Sequence, residues 1–442
     1  MGRIEHTLRM ESAASTRARI VAAAQRLGEA DAPEELTIGT PIDFAPLPRR
    51  AFVEMQALVA LTRAAGIARS LRAVAVARIG RSVDAAAINV PIGTPVLHQA
   101  IQSIRTFDAV SNDALAIQAL LREHGYFSEI FAENIHPSLR GVVRSIDRLL
   151  DANVRNAPVL NHVCVQAPRL TRILAQRPGA LHLRLHSNTP PEWFVGVSAG
   201  FEVSARQGWS EMVQMSRYAI STIADSAHNA HEVRSVGIKD VTVVPIVLEP
   251  VDAGIRRVSG GGGYAVIVAR TAPNKRLDFS IRTIAAYQRA YDPNFGLVII
   301  GSEGGLERYA DACRALADEL GVRNVRWTGL VDEAAKLDLL RNADAYLCTS
   351  DHEGFCVPIV ESFRIGLPVV ARATSAVTDT CGEALAVETN DPSNLAAVLR
   401  VVVTDADLRG ELIGVQDEEA KRFDPAVVGQ QLLAWVAAQK VR

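Results

Sequence analysis

The chain has little of what would build a disulfide scaffold, a metal centre or a membrane span. Its 442 residues hold five cysteines, Cys164, Cys313, Cys348, Cys356 and Cys381. That number is odd and the spacing contains no CxxC, so they read as buried or free thiols in a reducing compartment, not as disulfides or zinc ligands. No His/Asp/Glu cluster has ligand spacing, and no metal is expected. Aromatic residues make up 5% and the formal net charge is −2. Basic residues form no aromatic-interleaved stripe, which argues against nucleic acid as a partner. No apolar run approaches the length of a membrane-crossing helix, and the first residues have no apolar signal core. A cytoplasmic location is expected. No Gly-x-Gly-x-x-Gly opens a helix after a strand, which disfavours a dinucleotide-dependent dehydrogenase.

What is present is alternation. Residues 1–94 read as a helical extension, with arginine-rich amphipathic stretches at 12–30 and 52–83 and a break at Pro41, Pro46 and Pro48. Such helices suit a helical cap, a contact between copies or a membrane surface. From residue 95 strands and helices succeed one another. Strands are expected at 96–104, 128–132, 181–186, 218–224 and 241–245, with a turn-rich loop at 108–113 and a helix at 114–124. A four-glycine run, Gly260 to Gly263, reads as a linker. A second series follows, with strands at 264–269, 297–300, 325–328, 345–349 and 368–371 and helices between them. The pattern predicts two Rossmann-like, doubly wound parallel sheets, over 95–259 and 260–442, facing a cleft. The last helix, 427–441, is placed to pack back across that cleft.

The most informative segment is Ser350-Asp351-His352-Glu353-Gly354-Phe355-Cys356-Val357-Pro358-Ile359-Val360-Glu361. Two carboxylates stand eight positions apart around a strand-to-helix turn, and Pro358 suits the first turn of that helix. Backbone amides of Gly354, Phe355 and Val357 would point outward as an anion cradle, aided by the helix dipole. A diphosphate held there, with a glutamate on either side for hydroxyls, is what a nucleotide-sugar requires.

These residues resemble the retaining glycosyltransferases of the two-Rossmann (GT-B) type, in particular family 4, over about residues 95–442. The resemblance rests on Glu353-x7-Glu361, on Val268-Ala269-Arg270 with Pro273-Asn274-Lys275-Arg276, on His186-Ser187-Asn188-Thr189-Pro190-Pro191, and on Asp225-Ser226-Ala227-His228-Asn229 before the strand at 241–245. It implies transfer of a sugar from a nucleotide-diphosphate donor to an acceptor hydroxyl, with anomeric configuration retained. The implied acceptor is a glycan or a lipid-linked acceptor, in polysaccharide or glycolipid synthesis, and mannose from GDP-mannose is a frequent donor in such families. Arg270 and Lys275 would bind the diphosphate, Glu361 the ribose and Glu353 the hexose. His186 would contact the transferred sugar. Gly301 and Glu303 would lie near base or ribose. Asp108, Ser111, Asn112 and Asn188 are the acceptor-side candidates; Ser111 stands where a glycine is expected, and helix capping is an equal reading for Asn112. No cofactor is implied.

A second function class stays open on the sequence: a non-catalytic scaffold that binds nucleotide-sugar and assembles through its N-terminal helices. Retention of Glu353, Glu361, Arg270, Lys275 and His186 together weighs against it. A sugar-nucleotide epimerase shares the fold, and a phosphorylase-like enzyme would need a pyridoxal lysine context that the chain lacks.

Overall fold

The computed structural model describes residues 15–27, 41–47, 87–106, 108–249 and 263–439. The helix expected over 52–83 and three glycines of the 260–263 run lie outside them. The chain divides into two compact units. Among described residues, one holds 44–47, 87–225, 229–247 and 429–439, and the other holds 15–27, 41–43, 226–228, 248–249 and 263–428.

The first unit is built on strands β1 (His98–Ile104), β2 (Ile130–Ile135), β3 (Arg144–Ser145), β4 (Val159–Val163), β5 (Leu181–Leu185), β6 (Ser221–Ala224) and β7 (Val241–Val243). Their order is β3-β2-β1-β4-β5-β6-β7, all parallel. Order reverses between β1 and β4, the signature of a doubly wound sheet. One layer packs Phe131, Leu149, Val159, Leu183 and Met212 on one face, and Ile101, Ile104, Ala114 and Ile130 fill the other.

The second unit repeats the plan with β8 (Tyr264–Val268), β9 (Gly296–Ile300), β10 (Val325–Gly329), β11 (Ala345–Cys348), β12 (Val369–Arg372) and β13 (Ala386–Val387). Its order is β10-β9-β8-β11-β12-β13, again parallel. Strands covered on both faces read as continuous apolar runs, as in Leu297-Val298-Ile299-Ile300. Gly301 ends β9 at φ 153°, and a Cβ there would lie 1.9 Å from Ala269 O. Only glycine lets β9 turn this close to the end of β8.

Several boundaries differ from expectation. β2 starts at Ile130, and β3, β4 and β13 carry no clear periodic signal. The helix expected from 114 begins at Ala109, so 108–113 is not an open loop. Asp108 accepts the amide of Ser111 at 2.9 Å and its hydroxyl at 2.6 Å, which nucleates the helix five residues early. The closing helix spans Pro425–Ala438. From Gly429 it belongs to the first unit, where Trp435 stands edge-on to His182, with ring centroids 5.4 Å apart. The helix 15–27 belongs to the second unit, where Arg19 meets Glu411 at 2.6 Å.

Candidate functional site

β8 and β11 are neighbours at the point where the second sheet reverses order, so the segments leaving their carboxyl ends run side by side. Hydrogen bonds stitch them together. Asn274 O accepts Asp351 N at 2.9 Å, Asn274 Nδ2 donates to His352 O at 2.9 Å, and Thr349 Oγ1 donates to Arg276 O at 2.9 Å. Beneath them lies a buried ionic layer. Arg276, at φ 51°, contacts Asp278 at 3.1 Å and Asp351 at 2.6 Å. Arg372 also pairs with Asp351 and lies over the Phe279 ring at 4.4 Å. Burial works against the Arg276 charge, but Asp278 and Asp351 outweigh it and hold its pKa above the ordinary arginine value.

On this base Lys275 Nζ meets Glu353 Oε2 at 2.6 Å, with the two side chains 20% and 11% exposed. A ligand can therefore reach both. Ser350 Oγ donates to Glu353 Oε1 at 2.7 Å, and the Glu353 amide donates to Ser375 Oγ at 2.9 Å. The chain then turns into the helix Val357–Arg364, with Cys356 as its N-cap at φ 70° and Pro358 at its second position. Among the described residues the amides of Gly354, Phe355 and Val357 donate no hydrogen bond. The Phe355 ring itself is buried edge-on to Phe423 at 5.2 Å, so this residue offers the site its backbone rather than its side chain.

Glu361 lies one turn inside that helix. Its Oε1 accepts Lys336 Nζ at 2.9 Å, and Lys336 also reaches Glu333 at 2.7 Å. Burial opposes the Lys336 charge, yet Glu361 and Glu333 together raise its pKa. Arg270 is exposed on the turn after β8, between Ala269 and Thr271, whose amides bond Ile300 O at 2.9 Å and Ser302 O at 3.0 Å. Gly301 lies against the same turn. Glu303 is committed to Arg314, which packs over Trp327 at 5.1 Å.

The first unit places its candidates differently. Asp108 and Ser111 are spent on the helix cap, and Ser111 Oγ also accepts Arg105 N at 3.0 Å. Asn112 is exposed on the first turn. Asn188 is buried, and its Nδ2 has no hydrogen-bond partner among the described residues. His186 is 4% exposed, with Nδ1 on Asp225 Oδ2 at 2.8 Å and Nε2 on His162 Nδ1 at 2.9 Å. His162 Nε2 continues to Gln99 Oε1 at 2.8 Å. Beside this row Arg184 pairs with Asp113, whose Oδ1 also accepts Val247 N at 2.8 Å. Desolvation pushes the His162 pKa well below its ordinary value and raises that of Asp113. Asp113, His162 and His186 are close enough to share a metal ion, although Arg184, Gln99 and Asp225 already engage them.

The sequence motifs contain Ser350, Asp351, Arg276 and Asp225 without marking their roles, and Lys336, Ser375 and Arg372 in the second unit and Gln99 and His162 in the first carry no motif signal. One signal was available. The chain has only five lysines, Lys239, Lys275, Lys336, Lys421 and Lys440, against 42 arginines. Two of the five meet Glu353 and Glu361. Asp405-Ala406-Asp407 has the Asp-x-Asp spacing of many diphosphate-metal sites, but Asp405 caps a helix, accepting Asp407 N at 3.1 Å and Leu408 N at 2.9 Å.

Residues 255–414 match the family described as glycosyl transferases group 1. The phosphatidyl-myo-inositol mannosyltransferase of Mycolicibacterium smegmatis is 28% identical over 145 residues, which cover 32% of this chain and 36% of that protein. The D-inositol 3-phosphate glycosyltransferase of Corynebacterium glutamicum is 27% identical over 170 residues, 37% of this chain and 41% of that protein. The matched region thus spans about two fifths of these relatives. Among solved structures, Anabaena HepE in complex with UDP-glucose superposes with a TM-score of 0.63 at 15% identity, covering 78% of this chain and all of that one. Sucrose-phosphate synthase from Thermosynechococcus elongatus gives 0.61 at 12% identity, covering 78% of this chain and 99% of that one. Residues 255–414 thus match the glycosyl transferases group 1 family, and the chain has the GT-B fold of these solved structures.

Proposed function

We propose that this protein is a retaining glycosyltransferase that moves a hexose from a nucleoside-diphosphate sugar to an acceptor hydroxyl. The observation that carries the reading is the Lys275–Glu353 pair at 2.6 Å, close in sequence to the amides of Gly354, Phe355 and Val357, which donate no hydrogen bond among the described residues. Cleavage of the anomeric C–O bond leaves negative charge on the diphosphate. Lys275, those amides and the exposed Arg270 supply positive potential where that charge develops. The departing phosphate oxygen takes the proton of the acceptor hydroxyl as the new C–O bond forms on the same face. Glu353 then holds hexose hydroxyls, and Glu361, fixed by Lys336, holds the ribose. No covalent glycosyl-glutamate is required, in contrast to retaining glycosidases. No cofactor enters this scheme.

Mannose is the first sugar to test, because two relatives are named as mannosyltransferases. The base stays open, since solved neighbours are complexes with UDP or UDP-glucose. The named relatives also suggest an inositol-containing or lipid-linked acceptor. That would place the protein at the inner face of the cytoplasmic membrane by peripheral contact. No helix among the described residues is long and apolar enough to cross a membrane.

A thermal-shift panel of GDP, UDP, ADP and TDP with their sugar conjugates tests the reading. Ligand bound only to the folded state raises the melting temperature by mass action. One nucleotide should shift the wild type and shift Glu361→Ala less. No shift with any of them in folded protein would overturn the donor site, and with it both the transferase and a scaffold that binds nucleotide-sugar.

A further inference from the structure

We propose that Cys348, Cys356 and Glu353 form a binding site for a thiophilic divalent cation of the zinc class. Their spacing in sequence resembles no zinc motif, but the fold brings them together. Cys348 ends β11, where its register with Ala371 fixes the backbone, and Cys356 caps the helix that opens the donor loop. The two sulfurs lie 3.9 Å apart. Two thiolates bound to one tetrahedral zinc at about 2.3 Å are separated by about 3.8 Å, so the pair needs almost no adjustment to share an ion. A Glu353 carboxylate oxygen completes the group, with all three ligand atoms within 4.8 Å of one another.

The surroundings suit the chemistry. Two thiolates and a carboxylate exceed a divalent charge by one, and Lys275 at 2.6 Å from Glu353 balances the excess. The Tyr346 hydroxyl, 3.9 Å from Cys356 Sγ, can hydrogen-bond a coordinated sulfur and hold it in place. The thiol protons pass to solvent as the metal binds.

Glu353 cannot serve an ion and a sugar at once. A bound cation would take a Glu353 oxygen from the hexose and hold Lys275 as its counter-charge, so occupancy should inhibit transfer. This consequence rests on the donor-site reading of Glu353 and Lys275; the binding site does not.

The test is titration of the reduced full chain with Cd²⁺, read by the sulfur-to-cadmium charge-transfer band in the ultraviolet, on the short-wavelength side of the aromatic absorption. One equivalent should saturate the band, and Zn²⁺ should displace it. Cys348→Ser and Cys356→Ser should each abolish it, Glu353→Gln should weaken binding, and Cys164→Ser should leave it unchanged. Zinc-edge X-ray absorption on the wild type, which needs no variant to fold, should count two sulfur neighbours. Absence of the band, its survival in Cys348→Ser, or a zinc shell without two sulfurs would overturn the site. If the band behaves as expected and no nucleotide-sugar is ever turned over, the site stands and the donor-site reading fails.

Discussion

At the scale of single residues, the second unit commits each glutamate of the Glu353-x7-Glu361 pair to its own lysine. Lysine presents a compact, strongly hydrated point charge on a flexible stem, whereas arginine presents a fixed fork. In a chain with 42 arginines, both of these glutamates are paired with lysines, Lys275 and Lys336. The Asn274 and Thr349 hydrogen bonds fix the backbone around Lys275, and its side chain is 20% exposed against Glu353. Lys275→Ala, assayed at a temperature where it stays folded, should lower kcat/KM by about 100-fold or more, the scale on which a preorganised group facing developing charge acts. Near-normal turnover in that variant would remove Lys275 from the reaction.

At the scale of elements, the turns after β8, β9 and β11 form one structure, and Gly301 is the place where two of them touch. A methyl group there would meet Ala269 O at 1.9 Å, and φ 153° strains any side-chain-bearing residue. Gly301→Ala should lower the unfolding free energy by about 2 kcal/mol or more and displace the Arg270 turn. Denaturant unfolding measures the first effect, and loss of nucleotide binding at temperatures where the variant stays folded measures the second. A variant as stable as wild type would show that this approach relaxes freely. Much of this element-level plan is legible in the sequence. Apolar runs such as Leu297–Ile300 and Val369–Val370 mark strands buried on both faces, and Pro358 marks a helix start. What is not legible is polar matter inside the layers. β4 reads Val159-Leu160-Asn161-His162-Val163, and its two central polar residues hide a fully buried strand, because the His186 and Gln99 that satisfy His162 come from distant parts of the chain. The loop expected at 108–113 fails for a related reason. Asp108 and Ser111 look like turn residues until they are seen to bond each other, and then they are a helix cap.

At the scale of the whole chain, the two sheets share a plan but differ in what they bury. The first unit holds His98, His162, His182 and His186 within or at the end of its strands, all less than 5% exposed. Burial, with help from Arg177, lowers the His98 pKa to about 3, and burial lowers that of His182 to about 4. Both values lie below the roughly 6.5 of an unfolded histidine. The unfolded state therefore takes up protons first as pH falls. The stabilisation is fully present above about pH 6.5 and is lost progressively between there and the folded values, at about 1.4 kcal/mol per pH unit for each histidine. Acid should thus weaken the first unit selectively. A Trp327→Phe variant leaves Trp193, Trp209 and Trp435, all in the first unit, as its fluorophores. Its urea midpoint by fluorescence should drop between pH 7 and pH 5, ahead of the loss of helix seen by circular dichroism. A fluorescence midpoint that does not move over that window would mean that His98 and His182 stay reachable by protons in the folded protein, and that the first sheet is not the acid-sensitive half of this chain.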